Sequence, residues 1–404
     1  MNKADIIFTG QYAREKKQIL YLCDNGKHIN IHDMSVGIGA SIPKTSRIVN
    51  EMMADGILHE AGKQESSVGR RAALYGINTD IGHFIGVDVC KDSLSFTAAS
   101  FGGDIYDYEE KVPFSLDGSE ESVTGMCRLI KDYKDRLEIP AGTVRACGIN
   151  LTGRVRQDTG YSYSYPTRET HPLREIIEEQ LGCKIFLEND SKAMAYGEFL
   201  KGVGAGCSGT VLFLNVSWGL GMGIILNGEL FHGKSGFAGE IGHFPMFNNG
   251  IICQCGKIGC LETEASGMAL HRIFTRKIMS GVPSSLSDKQ RSGEEITLDD
   301  ILAAVSQEDT TAIESIEEVG SALGRAVAGF INLFNPDLVI VGGSLSSAHK
   351  YLMPPLLSAV NKYSLNIVNS DTRIKSSALG KKAGAVGACL LAKSRFFATS
   401  LLVR

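Results

Sequence analysis

The residues best suited to chemistry in this 404-residue chain lie in the stretch GEIGHFPMFNNGIICQCGKIGCLETE, residues 239–264. His243, Cys253, Cys255 and Cys260 supply one imidazole and three thiols, a donor set that matches tetrahedral zinc. The cysteine spacing is tight, and Gly256 and Gly259 let the chain fold around an ion. Four protein donors leave no open position for an activated water, so the zinc reads as structural rather than catalytic. The alternative is three ordinary buried thiols. Asp190 closes the strand-like segment KIFLEND just ahead of a helical pattern. A carboxylate there sits in the positive field of a helix N-terminus and stays ionised. It could take a proton from a substrate hydroxyl, hold that hydroxyl by hydrogen bonding, or simply cap the helix. Two glycine turns, GLGMG at 219–223 and GGS at 342–344, could bring backbone amides near phosphates through Gly219, Gly221, Gly342 and Gly343. Glycine turns between strands are common, so each alone is a weak signal.

The elements that must position these groups fall into two patterns. Residues 1–80 read as three helices followed by a hairpin. In the first helix, at 14–24, Ile19, Leu22 and Cys23 share one face, and Asn25-Gly26 ends it. A second short helix fits INIHDMSVG. The third spans 41–54, with Ser41 as N-cap and Pro43 in the first turn. Its apolar face is Thr45, Ile48, Val49 and Met52. Lys44, Ser46, Arg47 and Asn50 lie largely on the other. Residues 57–78 then make two strands around a polar tip. That order is a winged helix-turn-helix. It puts the third helix in a major groove, with Lys44, Ser46, Arg47 and Asn50 near base edges or phosphates. Lys63, Arg70 and Arg71 of the wing then lie along the backbone or minor groove. The competing possibility is a three-helix protein-contact domain with solvated charges.

From residue 81 the pattern becomes α/β, with strands at 83–101, 144–153, 184–190, 209–230 and 336–343 alternating with helices at 120–138, 171–182, 191–202 and 311–334. That alternation predicts two α/β lobes with a cleft between them. Residues 283–296 are the most loop-like stretch. Composition fits such a protein: 43% hydrophobic, 21% charged, net charge −4. The first 80 residues carry ten Lys and Arg against nine Asp and Glu. This weak asymmetry permits a DNA-binding head without demonstrating one. No apolar run approaches the roughly 18 residues that span a bilayer, and the N-terminal stretch does not read as a secretory signal. Seven scattered cysteines therefore read as reduced thiols in a cytoplasmic protein.

EIGH at 240–243, CQCGKIGCLE at 253–262, LEND at 187–190, LTGR at 151–154 and VIVGGSLSSA at 339–348 together resemble the ROK family of repressors, open reading frames and sugar kinases. The resemblance covers almost the whole chain. It implies an N-terminal winged helix-turn-helix at 1–80, of the kind carried by the family's repressors. It further implies an actin-like, ribonuclease H-like sugar-kinase fold at 81–404. Lobe one would take residues 81–188 with 380–404, and lobe two 189–379. It also implies that Asn189, Asp190, Glu240, His243 and Glu262 bind sugar hydroxyls, with Gly153 and Arg154 in a loop closing over the sugar. His243 would then give one ring nitrogen to zinc and the other to a hydroxyl.

The chain departs from the kinases at one place that matters. Their first phosphate turn, roughly D-x-G-x-T, is here Asp88-Val-Cys-Lys-Asp, whose side chains obstruct close approach to phosphates. Trp218 replaces a small or hydroxyl residue at the second. Bound ATP and magnesium are therefore not expected, and the expected function is a sugar-responsive transcriptional repressor. It would bind a hexose or N-acetylhexosamine, free or phosphorylated, and a palindromic duplex operator as a homodimer or tetramer. The alternatives are an ATP-dependent glucokinase or N-acetylhexosamine kinase with a DNA-binding domain, in which Asp190 is the base, and a sugar-controlled protein-binding module.

Overall fold

The computed structural model describes residues 11–23, 27–63, 72–165 and 171–402. The expected stop at Asn25-Gly26 and the wing residues Arg70 and Arg71 lie outside these. The chain divides into two compact units, Met1–Asp190 with Gly384–Arg404, and Ser191–Ala383.

The first unit begins with helices Ala13–Leu22, Ile31–Ile38 and Ile42–Ala54, then strands β1 (Leu58–Lys63) and β2 (Ala73–Ile77) as an antiparallel hairpin. The first helix turns a slightly different face inward than its pattern suggests. Lys16, Lys17, Ile19 and Leu20 are buried, and Leu22 is only half-buried. The third helix buries Thr45, Ile48, Val49 and Met52 as its periodicity requires. Ser41 precedes it but makes no side-chain cap, while its carbonyl accepts from the Thr45 hydroxyl.

Behind this head are β3 (His83–Val89), β4 (Ser93–Ser100), β5 (Ile105–Pro113), β6 (Val144–Leu151), the short pair β7 (Val155–Arg156) and β8 (Tyr161–Ser162), and β9 (Lys184–Asn189). The main sheet runs β5-β4-β3-β6-β9. Its first three strands are antiparallel, and β6 and β9 continue it in parallel. Helix Glu120–Arg136 is capped by the Ser119 hydroxyl, and Leu173–Leu181 is stopped by left-handed Gly182. One apolar cluster joins Ile19, Ile48, Met52 and Ile57 of the head to Phe84, Phe101 and Phe397, so head and sheet share a core.

The second unit repeats the plan with β10 (Val211–Val216), β11 (Leu220–Leu226), β12 (Glu229–Leu230), β13 (Leu338–Gly342) and β14 (Arg373–Ser376), ordered β12-β11-β10-β13-β14. Again a three-stranded antiparallel set is extended by two parallel strands. The GLGMG segment differs from the expected turn. Only Gly219 lies in the turn, whereas Gly221 and Gly223 are inside β11. A side-chain carbon at Gly221 would come within 2.3 Å of Ser191 Oγ, and one at Gly223 within 2.2 Å of the Ala195 methyl. These two glycines let helix Asp190–Lys201 lie close on the strand. The loop expected at 283–296 contains one short helix, Ser287–Arg291. Among the described residues no helix is long and apolar enough to cross a membrane.

Candidate metal centre and ligand-binding corners

The second unit gathers the predicted metal donors. The chain leaves β12, passes Glu240, and makes a short 3-10 turn at Ile241–His243. It returns through a tight loop in which Cys253 N–H donates to the Lys257 carbonyl and Gly256 N–H to the Cys253 carbonyl. Bridges pair Pro245 with Cys260 and Ile252 with Ile258. Gly259 has φ +75°, and a side-chain carbon there would fall 1.9 Å from the Phe247 carbonyl oxygen, so only glycine closes this loop.

One ligand atom from each of His243, Cys253, Cys255 and Cys260 lies within 4.8 Å of the others. Cys253 Sγ is 3.6 Å from His243 Nδ1, and Cys255 Sγ is 3.6 Å from Cys260 Sγ. A tetrahedral ion with metal–sulfur bonds of about 2.3 Å separates its sulfurs by about 3.8 Å, so the four atoms have the spacing a metal ion needs. Burial pushes the Cys253 thiol up to about 12, whereas the Lys257 amide holds Cys255 below the usual thiol value. The other ring nitrogen of His243, Nε2, lies 3.8 Å from a Glu240 oxygen. Glu262 accepts the Leu220 N–H at 2.9 Å with one oxygen, and its other oxygen is 3.6 Å from Cys253 Sγ. It therefore ties the metal loop to the start of β11.

The first unit gathers a second set. Asn189 Nδ2 donates to the Gly153 carbonyl and to Asp190 Oδ1, both at 2.9 Å. Arg154 follows on the exposed side, and its carbonyl accepts from Tyr163 N–H. Glu188, just before Asn189, is buried and pairs with Arg395 of helix Ala383–Leu402. Glu188 Oε1 also accepts the Asn189 N–H at 2.8 Å. Nothing in the sequence pattern singles out Arg395 as the residue that holds this corner. Asp88, at the end of β3, is 4% exposed. Burial, and secondarily Asp190, raise its carboxyl to about 7. It packs against Gly384, whose missing side chain would lie 2.1 Å from Asp88 Oδ2. The 90–93 turn is closed by Cys90 N–H to the Ser93 carbonyl, and none of its residues has positive φ.

The glycine turns of the second unit meet at the carboxyl ends of the parallel strands β10 and β13. Gly342 packs on the Phe213 ring, and Gly343, at φ +81°, makes the turn. Several amides beside these turns are engaged. Ser344 N–H donates to Ser217 Oγ. Gly267 and Met268, the first residues of helix Gly267–Met279, donate to the Ser217 and Trp218 carbonyls, and Ala269 donates to the Ser266 hydroxyl. Trp218 is 47% exposed and lies against His271.

In the head, the third helix leaves Arg47 and Asn50 exposed and Lys44 and Ser46 half-buried, while Lys63 is exposed at the end of β1.

Residues 84–395 match the ROK family. This chain belongs to it. The xylose repressor of Caldicellulosiruptor bescii is 30% identical over 349 residues, covering 85% of this chain and 86% of the relative. The glucokinase of Thermotoga maritima is 32% identical over 315 residues, covering 97% of the relative but 77% of this chain. The crystal structure of a ROK family transcriptional regulator homologous to the E. coli MLC protein matches with a TM-score of 0.79 and 27% identity, covering 97% of this chain and 98% of that one. The part of the chain that matches the family, residues 84–395, has the actin-like kinase fold.

Proposed function

We propose that this ROK protein is a sugar-responsive transcriptional regulator, acting as a repressor. One observation carries the reading. The regulator structure matches almost the whole chain, helical head included, whereas the glucokinase relative covers 77% of it. The head binds duplex DNA with helix Ile42–Ala54, through Lys44, Ser46, Arg47 and Asn50, and with the wing through Lys63, Arg70 and Arg71. The ROK domain binds a hexose or N-acetylhexosamine through Gly153, Arg154, Asn189, Asp190, Glu240, His243 and Glu262. Sugar binding lowers operator affinity, and a coupling of about 1–3 kcal/mol gives a 5–150-fold response. The protein works in the cytoplasm as a homodimer or tetramer on a palindromic operator.

The four-donor set of His243, Cys253, Cys255 and Cys260 holds one zinc ion in this reading. The donors fit: three thiols and an imidazole with tetrahedral spacing and no open position. A bound zinc fixes the imidazole's tautomer and angle, which leaves the Nε2 edge beside Glu240 for a sugar hydroxyl. Elemental analysis of purified protein tests this directly.

A second reading, an ATP-dependent sugar kinase, is favoured by the similarity to a glucokinase and by Asp190 at a helix N-terminus, suited to act as base. Against it stand the engaged Ser344 amide of the GGS turn and the side chains of the 88–92 segment. A kinase must cradle and neutralise the transferring phosphoryl group. A sugar panel, scored for retardation of the upstream DNA of its own gene and for ADP release, separates the two. Sugar-dependent release of DNA without turnover supports the regulator.

A further inference from the structure

Two of the basic groups assigned to DNA contact, Lys44 and Arg47, already have acidic partners within the head. Lys44 Nζ lies 2.6 Å from Glu15 Oε1 on the first helix. That pairing is strong enough to hold the Glu15 carboxyl below its ordinary value, with the Lys44 hydrogen bond as the largest cause. Arg47 Nε is 3.5 Å from Glu51, and Glu51 is anchored in turn by buried Lys16 at 3.4 Å. The Tyr12 ring faces both cations, with Lys44 Nζ 5.3 Å and Arg47 Cζ 5.8 Å from its centre. So consecutive residues of the first helix, Glu15 and Lys16, set the electrostatic state of the third. The Lys44 side chain is 41% exposed and the Glu15 side chain 21%, so this ion pair sits at the surface, on the face that the DNA reading directs at a duplex.

We propose that Glu15 is an internal stand-in for a DNA phosphate on Lys44, and that it sets the affinity of the head for duplex DNA of any sequence. This rests on the DNA-binding reading above. The physical case is simple. A partly exposed ion pair contributes little stability, so a phosphate can displace it. Once displaced, Glu15 remains beside the phosphate and repels it. The Lys44 contact therefore yields less net counterion release than an unpaired lysine would. Because the competition involves a phosphate and not a base edge, it scales cognate and non-cognate binding alike. It keeps the head weak on random DNA and leaves discrimination to base contacts.

The test is E15Q in the full-length protein, which removes the charge but keeps a hydrogen-bond acceptor for Lys44. Binding is measured by fluorescence anisotropy between 50 and 200 mM KCl on two probes. One is a duplex from upstream of its own gene, and the other is a scrambled duplex of equal length. Each net phosphate contact steepens the slope of log affinity against log salt by about 0.9 and is worth roughly fivefold in Kd near 0.15 M salt. E15Q is expected to tighten both probes by about fivefold with that steeper slope. The same change made in a K44Q background should then have little effect, because the acid no longer has a partner to occupy. Wild-type binding with an E15Q slope and Kd unchanged on both probes overturns the proposal while leaving DNA binding intact. So does an equal effect of E15Q with and without Lys44, which would reduce Glu15 to one more surface charge. If wild type and E15Q both fail to bind either probe at 50 mM salt, the DNA reading itself falls.

Discussion

Replacing Arg395 with alanine probes the buried support of the LEND corner. Its guanidinium pairs with Glu188, whose side chain is 4% exposed, and donates to the Leu187 carbonyl at 3.1 Å. Arg395→Ala leaves a carboxylate buried with its cation gone. Breaking a buried pair from one side costs about 3–5 kcal/mol, because the remaining charge is uncompensated. The unit that contains the pair has about 210 residues, for which each kcal/mol moves the midpoint by roughly 2–4 °C, so the melting transition should fall by about 6–20 °C. Calorimetry with urea titration at pH 7.5 measures it. The partner experiment is Arg395→Met with Glu188→Leu. Removing both charges avoids the uncompensated carboxylate, and the double variant should return to within about 2 kcal/mol of the parent. It should still bind sugar more weakly, since Glu188 no longer accepts the Asn189 N–H. A loss below about 1 kcal/mol for Arg395→Ala, in the range of exposed pairs, would mean that the pair is solvated and that something else holds Asn189 in place.

Cys255→Ser should release the metal and abolish sugar binding together, read by elemental analysis and thermal shift; sugar binding that survives complete metal loss would separate the two sites. Arg47→Ala should weaken binding to the cognate duplex by about 1–3 kcal/mol, whereas Lys63→Ala or Arg70→Ala should weaken all duplexes similarly and flatten the salt slope by about 1. With the tightest-binding sugar and millimolar ATP, coupled ADP release should stay at background, and turnover near 1 per second that vanishes in Asp190→Asn would make the chain a kinase, as the order of typical kinase rates implies. Asp88 gives a pH signature. Its carboxyl is raised from 3.8 to about 7 in the fold, so the folded chain holds a proton that the unfolded chain has lost between those values. The folded chain bears no penalty from this group below about pH 4, where both states are protonated; stability is then lost as pH rises, and the full cost of the buried charge is reached above about pH 7. At about 1.4 kcal/mol per unit, the ceiling is about 4 kcal/mol. Asp88→Asn should therefore stabilise the protein at pH 8 and do little at pH 4, and equal effects at both would show that Asp88 ionises normally.

Features that depend on near neighbours were legible before any coordinates. The metal donors Cys253, Cys255 and Cys260 sit within eight residues, so their spacing alone announces the loop that brings them together. The buried face of Ile42–Ala54 follows from its periodicity, and the stop at Gly182 from its freedom to take a left-handed turn. The head, the alternating lobes and the family motifs were legible for the same reason: each is written in a local pattern. What the tertiary structure alone decided involves groups brought together by the path of the chain. Gly221 reads as a phosphate turn in sequence but serves the close approach of a helix to β11, because no local pattern states which helix will lie there. Arg395 meets Glu188 across 207 positions, and Lys44 meets Glu15 across 29. A charge on a helix face reads as solvated until packing brings its counter-ion, since sequence periodicity tells which side faces out but not what stands opposite. The raised Asp88 carboxyl has the same origin. Its shift comes from burial against Gly384, nearly three hundred residues away, and from Asp190, and neither is visible in the five letters DVCKD.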